Sequence, residues 1–143
     1  MPIVKQDAID ILIVEDNPQD AELTIREITR NQVNARLMHV KDGKQALDLL
    51  SGSGPPNLPK LILLDLKMPK VSGIEALQKI KADQRTHKIP VVILTSSRQD
   101  PDIQLCYDLG ANSYIVKPVN FEDFATAIKN IGYYWFLLNQ PPA

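Results

Sequence analysis

Four short apolar runs punctuate the chain: Ile11–Val14, Leu61–Leu64, Val91–Leu94 and Tyr114–Val116. Each has the length of a strand and is apolar at consecutive rather than alternate positions, the pattern of parallel strands covered on both faces. Helical periodicity fills the intervals. Ala21, Ile25 and Ile28 share a face of a first helix, Ala46, Leu47 and Leu50 of a second, Gly73, Ala76, Leu77 and Ile80 of a third, and Leu105, Cys106 and Leu109 of a fourth. Asn17-Pro18 and Asp100-Pro101 each set a capping side chain before a proline at the first helical position. Asn120, with Asp123 three residues on, resembles a capping box.

A fifth strand over Ala35–Val40 carries Arg36 and His39 among apolar residues, which suits an edge. The alternation predicts an α/β fold: a (βα)₅ doubly wound parallel sheet of five strands, in flavodoxin-like order 2-1-3-4-5 once crossovers are right-handed. A single domain over residues 9–138 is expected, with short tails at 1–8 and 139–143. The polar, Pro/Gly-rich stretch Ser51–Pro59 is too short to separate domains, and no repeat or room for an appended effector domain is expected. In the last helix Phe121, Phe124, Ala125, Ile128, Ile131 and Trp135 follow one face and predict docking on the sheet. Tyr133, Tyr134 and Leu137 then point elsewhere, and exposed apolar surface of this kind marks an interaction site. A homodimer through this helix and tail is the expectation; a tail folded back on its own domain is the alternative.

Charge and composition narrow the function class. The chain of 143 residues has a formal net charge of −1, without the basic field of a nucleic-acid binder. Its longest apolar runs are far shorter than a bilayer span, and Met1–Ala8 has no basic n-region leading into an apolar h-region. The single Cys106 has no partner for an internal disulfide and fits a reducing compartment. A cytoplasmic protein with neither membrane nor nucleic-acid partner is expected. Cys106 reads as a buried, inert thiol, and His39 and His87 as structural or surface residues without a phosphotransfer role.

In such a sheet, ligands bind beyond the carboxyl ends of the strands at the topological switch point. The residues expected on that rim are Glu15 and Asp16 after the first strand, Asp65 after the third, Thr95 at the end of the fourth and Lys117 after the fifth. Carboxylates brought within a few ångströms repel by on the order of a few kcal/mol per pair at an effective dielectric near 20. A bound cation or raised pKa values relieve this. Hard oxygen donors on loops that leave room for water suit Mg²⁺, with Mn²⁺ as a substitute, and the lack of His or Cys disfavours Zn²⁺. Lys117 and Thr95 then offer a point charge and a hydroxyl to a phosphoryl group. Asp65, central among them, is the carboxylate best placed to accept that group as an acyl phosphate. No Gly-rich dinucleotide or P-loop turn follows the first strand, and no Gly-x-Ser-x-Gly elbow is present. An aspartyl-phosphate phosphatase usually carries a second acid two residues past its nucleophile, where this chain has Lys67.

At these positions a family resemblance is plain. Ile13-Val14-Glu15-Asp16-Asn17, Leu63-Leu64-Asp65-Leu66-Lys67-Met68-Pro69 with Gly73, Leu94-Thr95-Ser96-Ser97 and Tyr114-Ile115-Val116-Lys117-Pro118 resemble the receiver domain of two-component response regulators, from about Ile11 to about Ile131. The longer loop at Ser51–Pro59 makes the chain similar to the small stand-alone regulators partnered with phytochrome-type histidine kinases in cyanobacteria. The resemblance implies that Asp65 takes a phosphoryl group from a kinase phosphohistidine, and that the chain is a phosphoacceptor more than an enzyme. It implies that Asp16, Asp65 and the Lys67 backbone carbonyl ligate Mg²⁺, with Glu15 acting largely through water. Thr95 would hydrogen-bond the phosphoryl oxygen and Lys117 would pair with it. Tyr114 would turn inward as Thr95 moves, so Thr95 and Tyr114 form the switch, changing affinity for a downstream protein. The Lys117–Pro118 peptide would be cis. One departure is Lys67, where many relatives carry a small amide near the approach of a hydrolytic water; it is expected to lengthen the phosphorylated lifetime. The rival readings are an aspartyl-phosphate-type phosphatase and a non-phosphorylated binding scaffold.

Overall fold

The computed structural model describes residues 9–31, 34–52, 58–68 and 70–140. The apolar runs form the four inner and far-edge strands: β1 (Ile11–Val14), β3 (Leu61–Leu64), β4 (Val91–Thr95) and β5 (Ser113–Val116). The fifth, β2, is shorter than the sequence suggests, Leu37–Val40: the Arg36 carbonyl still accepts from the Asp10 and Ile11 N–H groups, but its own N–H and guanidinium turn to the Asp10 carboxylate. All pairings are parallel and the order is β2-β1-β3-β4-β5. Residues 53–57 of the predicted Ser51–Pro59 loop lie outside the described residues, as do residues 1–8 and 141–143 of the two tails.

Successive strand residues point to opposite faces, so the consecutive apolar runs fill two cores. Leu12, Val14, Ile62, Leu64, Val91 and Ile93 meet α2 (Gly43–Ser51), α3 (Gly73–Ala82) and Cys106 of α4 (Asp100–Asp108). Ile11, Ile13, Leu61, Leu63, Val92 and Leu94 meet α1 (Pro18–Asn31) and α5 (Phe121–Ile131). Cys106 is fully buried, and that burial lifts its thiol pKa to about 11, which keeps it protonated and unreactive. Among α4 residues only Cys106 is buried; Leu105, expected on the same face, is exposed.

Helix starts follow the capping signals at two of three places. Asn17 Oδ1 accepts the N–H groups of Gln19 and Asp20, and Asn120 Oδ1 those of Glu122 and Asp123. Asp100 does not cap α4. The helix begins one residue early with Gln99 as N-cap, because Ser97 already holds the turn, accepting from Gln99 N–H and donating to Asp102 Oδ2 at 2.6 Å. The Lys117–Pro118 peptide is trans, not cis; trans is the intrinsically favoured isomer even before proline, by about 0.5–1 kcal/mol, so nothing local forces the alternative. On α5, Phe124, Ile128 and Ile131 dock as predicted but Phe121 does not. It sits at the first helical position, beyond the strand ends, exposed under the Arg26 guanidinium. The helix then widens into a π-helical segment, Gly132–Leu138, in which Tyr134 meets Trp135 edge-on. Trp135 and Phe136 turn toward the core while Tyr133, Tyr134 and Leu138 stay exposed. The side chain of Leu137 lies outside the described residues.

Candidate functional site

Parallel strands of one direction deliver their exit loops to one rim. The ladder itself fixes how far each reaches: Val14 is level with Leu64 on β3, and Asp65 N–H donates to Val14 O. Glu15, Asp16 and Asp65 therefore meet, with one oxygen from each lying within 4.8 Å of the others. Glu15 and Asp65 are buried, whereas Asp16 faces solvent. Hard oxygen donors with one side open to water are the set that a divalent Mg²⁺ or Mn²⁺ takes, so the residues present fit the metal read from the sequence.

Lys117, carried in by β5, closes the cluster from the other side. Its Nζ lies 2.6 Å from Glu15 Oε1, 2.9 Å from Asp20 Oδ2 and 3.2 Å from Asp65 Oδ2. Burial pushes the Glu15 carboxyl up to about 7, the hydrogen bond from Lys117 opposing this and the charge of Asp65 reinforcing it. For Lys117, burial alone would lower the pKa, but the bonds to Glu15 and Asp20 and the field of Asp65 and Glu15 reverse the sign and hold the ammonium well above the ordinary lysine range. One cation thus stands among several anions, a net negative site that attracts a second cation.

Asp65 itself is held by its own loop. Its Oδ1 accepts from Leu66 N–H at 2.7 Å and more weakly from Lys67 N–H, and its Oδ2 faces Lys117. Gly73 opens α3 directly against this turn, its N–H donating to Leu66 O. A Cβ there would fall 2.1 Å from the Asp65 carbonyl, which only glycine permits. The Lys67 side chain is exposed.

Thr95 is fully buried at the end of β4, its hydroxyl accepting from Ser97 N–H at 3.5 Å. Tyr114, half-buried on β5, donates its O–H to Ser97 O at 3.0 Å. The two residues expected to switch together thus converge on Ser97, whose hydroxyl is in turn tied to α4 through Asp102.

The structure therefore brings together Glu15, Asp16, Asp65 and Lys117, and links Thr95 to Tyr114. Sequence reasoning missed Asp20 and Ser97. The signal for Asp20 was an acid in the first turn of a helix that starts two residues after the Glu15–Asp16 pair; it reads equally well as a helix-dipole acid. Ser97 falls in the motif after the fourth strand, but nothing beyond its place two residues past Thr95 gave it a role. Tyr133 and Tyr134 lie at the opposite end of α5 from its Asn120 cap, both about half exposed at 53% and 51%. No helix among the described residues is long and apolar enough to cross a membrane.

Comparison with known proteins agrees with this geometry. Residues 11–129 match the response regulator receiver domain. The chain is 42% identical over 139 residues to the probable methanogenesis regulatory protein FilR2 of Methanothrix harundinacea, covering 96% of this chain and 90% of that protein. The crystal structure of the phosphorylated cyanobacterial phytochrome response regulator RcpA superposes with a TM-score of 0.88 at 35% identity, covering 95% of this chain and 99% of that one. The Mn²⁺-bound form of the response regulator Rcp1, a protein known from Synechocystis, gives 0.87 at 33% identity, covering 94% and 99%.

Proposed function

The chain belongs to the response regulator receiver domain family, a two-component signalling family whose partners are histidine kinases, and on that premise we propose that it is a switch driven by phosphorylation of Asp65. The observation that carries this is the meeting of Asp65 with Glu15, Asp16 and Lys117 on one rim. An Asp65 oxygen attacks the phosphorus of a kinase phosphohistidine; the O–P bond forms, the N–P bond breaks, and the electron pair leaves on the imidazole nitrogen, which is protonated. Leu66 N–H orients the carboxylate, and Lys117 neutralises charge as the phosphoryl group arrives. Asp16, Asp65 and the Lys67 carbonyl would hold Mg²⁺ directly and Glu15 through water. When bound, the metal supplies positive charge against the phosphoryl oxygens. Thr95 donates its hydroxyl to the new phosphoryl group, Tyr114 follows, and Ser97 carries the change to α4. The hydrogen bonds and ion pairs that the phosphoryl group makes with Thr95 and Lys117 bias an existing two-state equilibrium.

The chain spans 87–99% of the length of the relatives named above; like a stand-alone regulator it would signal by changing its affinity for a downstream protein. It is a phosphoacceptor that assists its own phosphorylation and dephosphorylation more than an enzyme, and its place is the cytoplasm, where the kinase domains are. A phytochrome-type kinase is the partner its similarity to RcpA and Rcp1 favours. The domain occupies residues 9–138, and the exposed Tyr133 and Tyr134, with Leu137, form a homodimer contact. Lys67, exposed beside Asp65, obstructs the hydrolytic water and prolongs the phosphorylated state.

Acetyl phosphate tests the reading without needing the kinase. A single phosphoryl adduct should appear in the intact mass with Mg²⁺ and not with EDTA, and Asp16→Asn should form it far more slowly. An adduct that forms equally well in EDTA contradicts the reading.

A further inference from the structure

We infer that His39, on the edge strand β2, is a positioning residue for the metal site, holding the Glu15–Asp16 turn in ligating register through the Glu15 backbone carbonyl. The inference rests on the reading of Glu15, Asp16 and Asp65 as a divalent-cation site.

The strand ladder stops just short of this turn. β1 pairs with β2 as far as Val14 and Val40, and Glu15 N–H still finds Val40 O at 3.1 Å. There β2 ends, so the next group outward on this edge, the Glu15 carbonyl, has no strand amide opposite it. Glu15 is buried, and a buried carbonyl without a donor is costly. His39 supplies the donor: its Nε2 lies 2.7 Å from Glu15 O. Because the acceptor is a carbonyl, Nε2 carries the hydrogen. A valine or leucine would suit an edge strand as well, but could not make this bond.

The consequence reaches the ligands through the planarity of the peptide. The Glu15 carbonyl and the Asp16 N–H belong to one rigid unit, so fixing the oxygen fixes the direction in which Asp16 leaves the chain. On the far side of the turn Asn17 N–H donates to Glu15 Oε2 at 3.2 Å, and Asn17 Oδ1 caps α1. Asp16 is thus strung between two anchors while its own side chain is exposed. Removing the His39 anchor frees the peptide before Asp16 to rotate, and the carboxylate that would bind the cation most directly loses its aim. Outer residues of this kind set metal affinity by about 10–100-fold elsewhere.

The test is titration of the full chain with Mg²⁺ alone, followed by calorimetry, at a temperature where each metal-free protein is folded by circular dichroism. His39→Asn, whose amide stops short of the Glu15 carbonyl, should bind Mg²⁺ about 10-fold more weakly. His39→Gln places an amide nitrogen near the position of Nε2 and should retain most of the wild-type affinity. His39→Leu gives the same reading as Asn should Asn disturb the edge strand. Wild-type affinity in the Asn and Leu variants, or an equal loss in the Gln variant, overturns the role of His39. Failure of the wild-type protein to bind Mg²⁺, or undiminished binding by Asp16→Asn, would instead overturn the metal site itself.

Discussion

Lys117 places one positive charge against three carboxylates, and each of those carboxylates comes from a different segment of the chain. In the metal-free chain it is the counter-ion that makes burial of Glu15 and Asp65 tolerable. Lys117→Met should therefore destabilise the metal-free protein by about 3 kcal/mol, the lower end of the range for breaking a buried pair, because Glu15 is poised to take up a proton instead. Mg²⁺ should then raise the melting temperature of the variant more than that of the wild type, since the cation replaces the missing charge. An equal rise in both proteins contradicts this. In the proposed switch Lys67 acts at the same scale but on rate. Its exposed ammonium is not part of the ion-pair cluster, so Lys67→Asn should leave stability within about 0.5 kcal/mol while shortening the phosphorylated lifetime, followed as loss of adduct after acetyl phosphate is removed. An unchanged lifetime would show that Lys67 has no part in setting it.

At the scale of elements, strand ends decide where the chemistry sits. The apolar runs mark β1, β3, β4 and β5 to within a residue, and with them the rim, because a buried parallel strand must be apolar until it emerges. Less legible were features that depend on what neighbouring elements do. Asp100 looks like a cap, but Ser97 and Gln99 form the turn first. Phe121 lies in register with Phe124 and Ile128, but the sheet stops short of it. Asp20 sits on a helix whose pattern says only which face is apolar, and nothing in that pattern says that Lys117 will arrive from β5 to meet it. Gly73 was legible as part of a motif, and its physical reason is contact between elements: α3 starts so close to the Asp65 carbonyl that a methyl group has no room. Gly73→Ala should cost about 1–3 kcal/mol in urea denaturation and slow adduct formation by displacing the Asp65 turn. Wild-type stability in that variant would show that the two elements can separate freely.

For the whole molecule, the two cores divide the labour. The face packed by α1 and α5 is continuous from Leu23 to Ile131, while α4 on the other face contributes one buried residue, Cys106. In the proposed switch a lightly anchored α4, joined to the rim through Ser97 and Asp102, is the element expected to move when Thr95 and Tyr114 shift. The π-helical end of α5 extends away from this rim, with Tyr133, Tyr134 and Leu138 exposed. A homodimer through that surface predicts sedimentation as a dimer at micromolar concentration and as a monomer for Tyr133→Glu with Tyr134→Glu. A wild-type monomer, with and without phosphorylation, contradicts it.

Whether Asp65 is the phosphoacceptor, on which the switch depends, is decided by intact mass after incubation with Mg²⁺ and acetyl phosphate, comparing wild type with Asp65→Asn. Asparagine keeps the shape of the side chain and an acceptor oxygen for Leu66 N–H but cannot form the acyl phosphate. One phosphoryl adduct is expected on the wild type and none on the variant; an adduct on both proteins would contradict the assignment.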